Sequence, residues 1–411
     1  MENDRTILRR LAAKYRMYAE EEHNAQRARL HKAGNDLRMI RPVVLIDELP
    51  WHEMELEDEL TLRCQDPFLR ETEQFLRREI YKYEHLRADM VLRPFVPVQK
   101  VVHSTGIGID VQEETLATEA GNHIVSHEYE DQLSTEEDLE KLHPARITYD
   151  EQETNRRFQL LGEMIGDLIP IRKTGLDHLT LHPWDDIARY RGVTPLLIDL
   201  AEEPEHSHHI IKKMVDIAMD TMDQYLALGL FDPQPWSLHC TPIFTDGLQD
   251  GGFDGEHLTY RNIWGRGTAQ IFASVSKAMH EEFEIDYMKD TLGKCGLVYY
   301  GCCEPLDKKI DIVEKIPNLR KVSITPWADV QVGAEAIGKK YVLAAKPNPS
   351  AVAVPLLDKD ALRKEIGNIL DASRRNGCSV DLVLKDISTC CHRPQNIFEW
   401  EQIVMDMVEH Y

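Results

Sequence analysis

Apolar positions along this chain fall into two regimes. Up to about residue 150 they are spaced for helices or interrupted by prolines. Beyond about 160, short unalternating apolar runs recur between amphipathic stretches. The first thirty residues, charged throughout with Ala and Leu interspersed, predict an amphipathic helix. RPVVLID (41–47) predicts a strand. Phe68, Phe75, Leu76, Ile80 and Tyr83 recur at near-helical spacing and predict a helix from 67 to about 90. VLRPFVPVQKVV (91–102) is predicted to be extended, because its prolines exclude a helix interior. Residues 111–150 are acidic and irregular, with a helix-start signal in STEE (134–137).

In the second regime LIPI (168–171) and LTLH (179–182) are strand-like, and WSLHC (236–240) reads as a strand end. A long helix is predicted from Pro204 to about 228, with proline in its first turn. Residues 245–268 are polar and glycine-rich, a loop long enough to serve as a lid. A helix over 276–292 follows. Four units are then regular: GLVYYG (296–301), KVSIT (321–325), YVLAAK (341–346) and VDLVLK (380–385), each followed by a predicted helix. Unalternating apolar strands between helices imply a parallel sheet covered on both faces. The expected fold class is therefore α/β: a (β/α)8 TIM-type barrel over residues 106–411, behind an N-terminal α+β extension over 1–105 of helical and extended segments. An open doubly wound sheet is the alternative.

Either architecture places ligands beyond the C-terminal ends of the strands. That rule selects His182, His239 with Cys240, Cys302–Cys303–Glu304, Thr325 to Trp327, Lys346 to Asn348, and Lys385–Asp386. Thiolate, imidazole and carboxylate are zinc ligands, and a catalytic zinc takes three of them. His239 or Cys240, one of Cys302 and Cys303, and Glu304 are the candidate metal donors, with Cys391, Cys390 or His392 to complete the set from the last loop; neighbours on an extended strand face opposite sides, so at most one cysteine of each pair is expected to ligate. The competing reading is that the adjacent cysteines are small residues packing a tight strand end. Lys346, Lys385 and Asp386 are candidate catalytic groups, able to neutralise an anionic substrate; Lys385 and Asp386 could equally be a simple ion pair. Trp264, Tyr300 and Trp327 could wall a substrate pocket, with Asn348 beside them.

Charge narrows the partners. The 411 residues carry 48 Lys plus Arg against 71 Asp plus Glu, a net charge of −23. Such a field repels phosphate backbones and argues against nucleic acid. Eight cysteines in a chain this long are too sparse for a disulfide framework. No run approaches the roughly 18 apolar residues of a membrane span, and the charged N-terminus lacks a signal-peptide core. A cytoplasmic protein without membrane contact is the expectation.

Three stretches resemble the uroporphyrinogen decarboxylase superfamily: PWDDIARYRGVTPLLIDLAEEPEHSHHIIKKMVD, VSKAMHEEFEIDYMKDTLGKCGLVYYGCCEP and PQNIFEW. The resemblance spans roughly 130–411. It implies a (β/α)8 barrel with its site at the C-terminal mouth. That superfamily contains cofactor-free porphyrinogen decarboxylases and zinc-dependent methyltransferases working with a corrinoid protein or a thiol. The decarboxylases carry an arginine-rich R-Q-A-G-R segment that this chain lacks. The methyltransferases carry His-x-Cys at the strand end held here by Gly301-Cys302-Cys303, so Cys303 falls on the cysteine and Gly301 on the histidine. GCCEPL, KPNP and KDIS are similar to stretches of a bacterial branch. The resemblance implies a methyltransferase moving a methyl group from a small methoxy-, methylamine- or methylthiol-type substrate to a corrinoid protein, with zinc as cofactor and a homodimeric assembly. A metal-independent decarboxylase or lyase of a small carboxylate, built on Lys346, Lys385 and Asp386, is the alternative. A non-catalytic ligand-binding barrel is a third.

Overall fold

Seven short parallel strands make one sheet in the computed structural model, which describes residues 2–86, 88–117, 125–232, 236, 238–248 and 257–411. They are β1 (Val43–Ile46), β2 (His178–Leu181), β3 (Trp264–Gly267), β4 (Leu297–Tyr300), β5 (Leu319–Ile324), β6 (Val342–Ala345) and β7 (Ser379–Leu384). The first strand pairs with the last, and the order then runs back along the chain: β1-β7-β6-β5-β4-β3-β2. Every ladder between them is parallel. The chain is thus α/β with a parallel central sheet, as its strand pattern implied.

The two faces differ in chemistry. Residues pointing one way, among them Val298, Tyr300, Val322, Ile324, Leu343 and Leu382, join the main core beneath the helices. Helices Val330–Ile337, Lys359–Asn376 and Gln395–Glu409 supply the other half of that core. Residues pointing the opposite way include a small apolar cluster of Trp264, Leu297, Tyr299 and Ala344. Around it lie the buried polar groups Arg266, Lys321, Ser323 and Asp381. Lys321 on β5 reaches across β6 to Asp381 on β7, Nζ to Oδ2 2.8 Å. Two strand spacings are about 9.5 Å on a flat sheet, so the reach is easiest where this face is concave, and the small side chain of Ala344 leaves it room.

The edges of the sheet are met by irregular chain. Asp89 N donates to Val44 O beside β1, and Leu176, just before β2, makes a parallel bridge to Phe231. Among the described residues no ladder joins β1 to β2.

A second core lies at the N-terminal side. Leu8, Leu11 and Tyr15 of helix Glu2–Ala19 pack on Leu69, Leu76 and Ile80 of helix Pro67–His85. Leu161 and Ile165 of helix Glu151–Ile165 complete it. The strand over 43–46 lies in the central sheet, although it belongs to the stretch read as an extension.

Several elements differ from the sequence pattern. The predicted first helix is two, Glu2–Ala19 and Glu22–Asn35. The acidic stretch after 111 contains an antiparallel pair, Glu113–Ala117 with Val125–Tyr129. Strand β3 falls inside the stretch predicted to be a lid loop, of which 249–256 lie outside the described residues. WSLHC joins no ladder; Leu238 and Thr241 close a tight turn instead, and residue 237 is outside the described set.

Candidate functional site

Beyond the C-terminal ends of β1, β4 and β7, side chains from three strand-end loops meet the His239–Cys240 turn. Glu48 follows β1, Cys302 and Cys303 follow β4, and Lys385 and Asp386 follow β7. Their contacts close into a ring. Cys240 Sγ lies 3.2 Å from His239 Nε2. His239 hydrogen bonds Cys302, and Cys302 Sγ is 3.7 Å from Cys303 Sγ. Cys303 Sγ donates to Asp386 Oδ2 at 3.5 Å. Asp386 shares a hydrogen bond with the Glu48 carboxyl, and Glu48 Oε1 returns to His239 Nδ1 at 3.4 Å. Lys385 Nζ spans the ring, 3.2 Å from Cys302 Sγ, 3.4 Å from Cys303 Sγ and 2.7 Å from Asp386 Oδ2.

Backbone strain builds this convergence. On an extended strand adjacent side chains diverge, so one cysteine of each adjacent pair was expected to face away. The strand ends at Tyr300, however, and Gly301 at φ 99° turns the chain so that both thiols face Lys385. Glu48, Cys240 and Asp386 all have positive φ, at 54°, 55° and 55°. Each such non-glycine residue costs on the order of 1–3 kcal/mol and collects at functional sites. Three of them in one ring favour a functional reading over a packing one.

The ring's electrostatics follow from its contacts. The contact with the Cys303 thiol lowers the pKa of Cys302 against the opposing effect of burial; His239 and Lys385 add to the lowering. The same contact, with burial, pushes Cys303 up. Burial also pushes up the Cys240 thiol. Burial alone would discharge Lys385, yet Cys302, Cys240, Cys303 and Asp386 together raise its pKa. Burial raises Glu48, helped by the hydrogen bond it donates to Asp386. For Asp386 burial works the same way, but hydrogen bonds from Glu48 and Lys385 outweigh it and lower the pKa.

Donor atoms of Glu48, His239 and Cys240 all lie within 4.8 Å of one another, close enough to share one ion. One imidazole, one thiol and one carboxylate suit zinc and leave its fourth position open. Of the donors predicted from sequence, His239 belongs to this set and Cys303 lies in the same ring. Glu304 does not join them: it is fully buried and accepts from Thr268 Oγ1 at 2.9 and 3.0 Å, from Ala269 N and from Cys302 N. It fixes the turn carrying the thiols, and burial raises its pKa to about 7. Cys391 sits in the 389–392 turn, which is anchored on Glu53 through Thr389, Cys390 and His392.

The other expected residues also lie apart from the ring. Lys346 is buried, donates to Cys240 O, and stands 5.7 Å from the Tyr299 ring centre; it braces the His239–Cys240 turn from below. Tyr300 faces the helix layer and bonds His280 Nε2 at 2.9 Å. Trp264 is fully buried, with its indole N–H on Ile243 O. Trp327 is 71% exposed. Asn348 caps the Pro349–Ala351 turn. Glu48 was missed in the sequence, and Cys302 was selected with Cys303 without being singled out. The strand-end rule that found Lys385 reaches Glu48 as well, once RPVVLID is placed in the central sheet.

A cavity of about 330 Å³ opens beside the ring and shares His239 with it; Asp47, the residue before Glu48, also lines it. Its walls come from β1, from helix Pro67–His85, from residues 90–93 and from the 236–244 segment.

No family model matches this chain, and no curated protein matches it. Among solved structures, a methyltransferase from Methanosarcina mazei aligns at 12% identity with a TM-score of 0.47, over 93% of this chain and 97% of that one.

Proposed function

We propose that this chain is a zinc-assisted methyltransferase that moves a methyl group from a small methylated substrate to a corrinoid protein. The observation that carries the reading is the closed ring of Glu48, His239, Cys240, Cys302, Cys303, Lys385 and Asp386 at the strand ends. Glu48, His239 and Cys240 are the proposed zinc ligands, with Cys303 or Cys302 available to replace one of them as a softer donor. Zinc held there would supply Lewis acidity toward the oxygen, nitrogen or sulfur that loses the methyl group. Lys385 holds the thiols and Asp386 in place and offsets their negative charge. The sheet is proposed to close as a (β/α)8 barrel of the uroporphyrinogen decarboxylase type, which the resemblance of the three sequence stretches supports. The corrinoid partner would dock over the strand ends, where Cys303 is partly exposed.

The test is metal analysis of the purified chain followed by a methyl-transfer assay with free cob(I)alamin as acceptor. About one zinc per chain is expected, and His239→Ala or Glu48→Gln should weaken zinc binding at least about tenfold. A folded parent chain that takes up no zinc when offered it would overturn the reading.

A further inference from the structure

The cavity beside the ring has a chemistry that neither the metal nor the strand-end lysines require. Three of its wall residues are aromatic: Phe75, Trp236 and Phe244. Trp236 and Phe244 stand edge-to-face, with ring centres 5.3 Å apart at 89°. The Arg93 guanidinium lies 5.7 Å from the Trp236 ring centre and has no carboxylate partner among the described residues. The other wall cation, Lys82, is already neutralised by Glu79. Two buried polar atoms of wall residues are also unpartnered among the described residues: Trp236 Nε1, a donor, and His31 Nδ1. His31 Nε2 sits 2.6 Å from Asp89 O, so it carries the ring proton and leaves Nδ1 as a bare acceptor.

We propose that this cavity binds a small planar aromatic carboxylate, its ring on Trp236 and Phe244 and its carboxylate on Arg93. The inference rests on the reading above in one respect: His239 lines both cavity and ring, so the bound molecule is the substrate whose far end meets the metal ligands. A cavity of this size admits a substituted benzoate. An aliphatic hydrocarbon offers no acceptor to the indole N–H and no charge to Arg93. A polyphosphate would need several free cations, and the wall offers a single unpaired guanidinium.

The test is isothermal titration of the full-length chain with sodium benzoate, before and after chelation. Benzyl alcohol and cyclohexanecarboxylate serve as controls lacking the charge and the flat ring. Saturable benzoate binding is expected, with both controls weaker by at least about tenfold. Arg93→Gln should lose the preference for benzoate over benzyl alcohol. Arg93→Lys, which keeps the charge and loses the fork, should fall between. Trp236→Phe should keep ring binding and lose part of the affinity, and the quenching of tryptophan fluorescence by benzoate should shrink with it. Circular dichroism of each variant checks folding. The assignment fails if the parent chain does not bind benzoate, if the controls bind equally well, or if Arg93→Lys and Trp236→Phe both bind as the parent does. Benzoate binding to a chain that takes up no zinc would sink the metal reading and leave this one standing. Zinc uptake without benzoate binding would do the reverse.

Discussion

A carboxyl group without a partner is costly to bury, and Glu284 is fully buried with neither oxygen hydrogen bonded among the described residues. Burial raises its pKa well above the usual range, and Asp185 and Glu304 add to the shift. The folded chain therefore keeps a proton that the unfolded chain releases near pH 4.3. Stability from this group falls as pH rises through that point and continues to fall until the folded pKa is reached. Glu284→Met, similar in length and apolar, should raise stability by about 1–3 kcal/mol at neutral pH, and by less at pH 4. Thermal melts at both pH values check this; a variant that melts at or below the parent at neutral pH would refute it. At the residue scale the site was partly legible. Cys303, Lys385 and Asp386 were selected because strand ends converge whatever the details; His239 was selected from WSLHC, which forms a turn instead of a strand. Only one thiol of the Cys302–Cys303 pair was expected to face the site, on the rule that neighbours on a strand diverge, and the left-handed Gly301 lies beyond the point where that rule holds.

Among the elements, β3 shows how a strand escapes notice. Its sequence, WGRG, has no β-branched residue and two glycines, and it sits in a glycine-rich run. Those glycines answer to packing. A Cβ on Gly265 would sit 2.9 Å from Cys295 Sγ, and one on Gly267 would sit 2.4 Å from Leu292 Cδ1. The predicted helix over 276–292 is likewise broken, by a π-helical turn at Glu281–Ile285 that carries Glu284. No spacing rule signals such an insertion. The regular units from β5 to the last helix matched their pattern closely because caps and glycine stops mark them, as with Asp358 and Gly377 around helix Lys359–Asn376, whereas the helix expected after β4 is only Ile310–Val313. The Lys321–Asp381 pair links β5 to β7 and also holds Thr241 and Pro242, Lys321 Nζ donating at 2.9 and 2.8 Å. Burial lowers the Lys321 pKa to about 8. Lys321→Met alone should cost about 3–5 kcal/mol, because it strands a buried aspartate. Lys321→Met with Asp381→Leu should recover most of that loss in urea melts. If the double variant is as unstable as the single one, the pair contributes more than mutual neutralisation.

For the whole molecule, a net charge of −23 means that folding concentrates like charges. Added salt screens that repulsion. The melting temperature should rise between low and moderate sodium chloride, and a flat or falling trend would show that favourable ion pairs dominate. Among the described residues, no helix is long and apolar enough to cross a membrane. The amino-acid pattern alone determined that this is an α/β protein with a parallel sheet, and that thiol, amine and carboxylate side chains follow several strand ends. Apolar runs without alternation bury both faces, and parallel strands all point the same way. Tertiary structure alone decided which of those groups touch. The ring depends on left-handed residues at Glu48, Cys240, Gly301 and Asp386, and on strand β1 pairing with β7 across more than three hundred residues of chain. Contacts of that kind arise from strand pairing over long separations, and local spacing carries no trace of them.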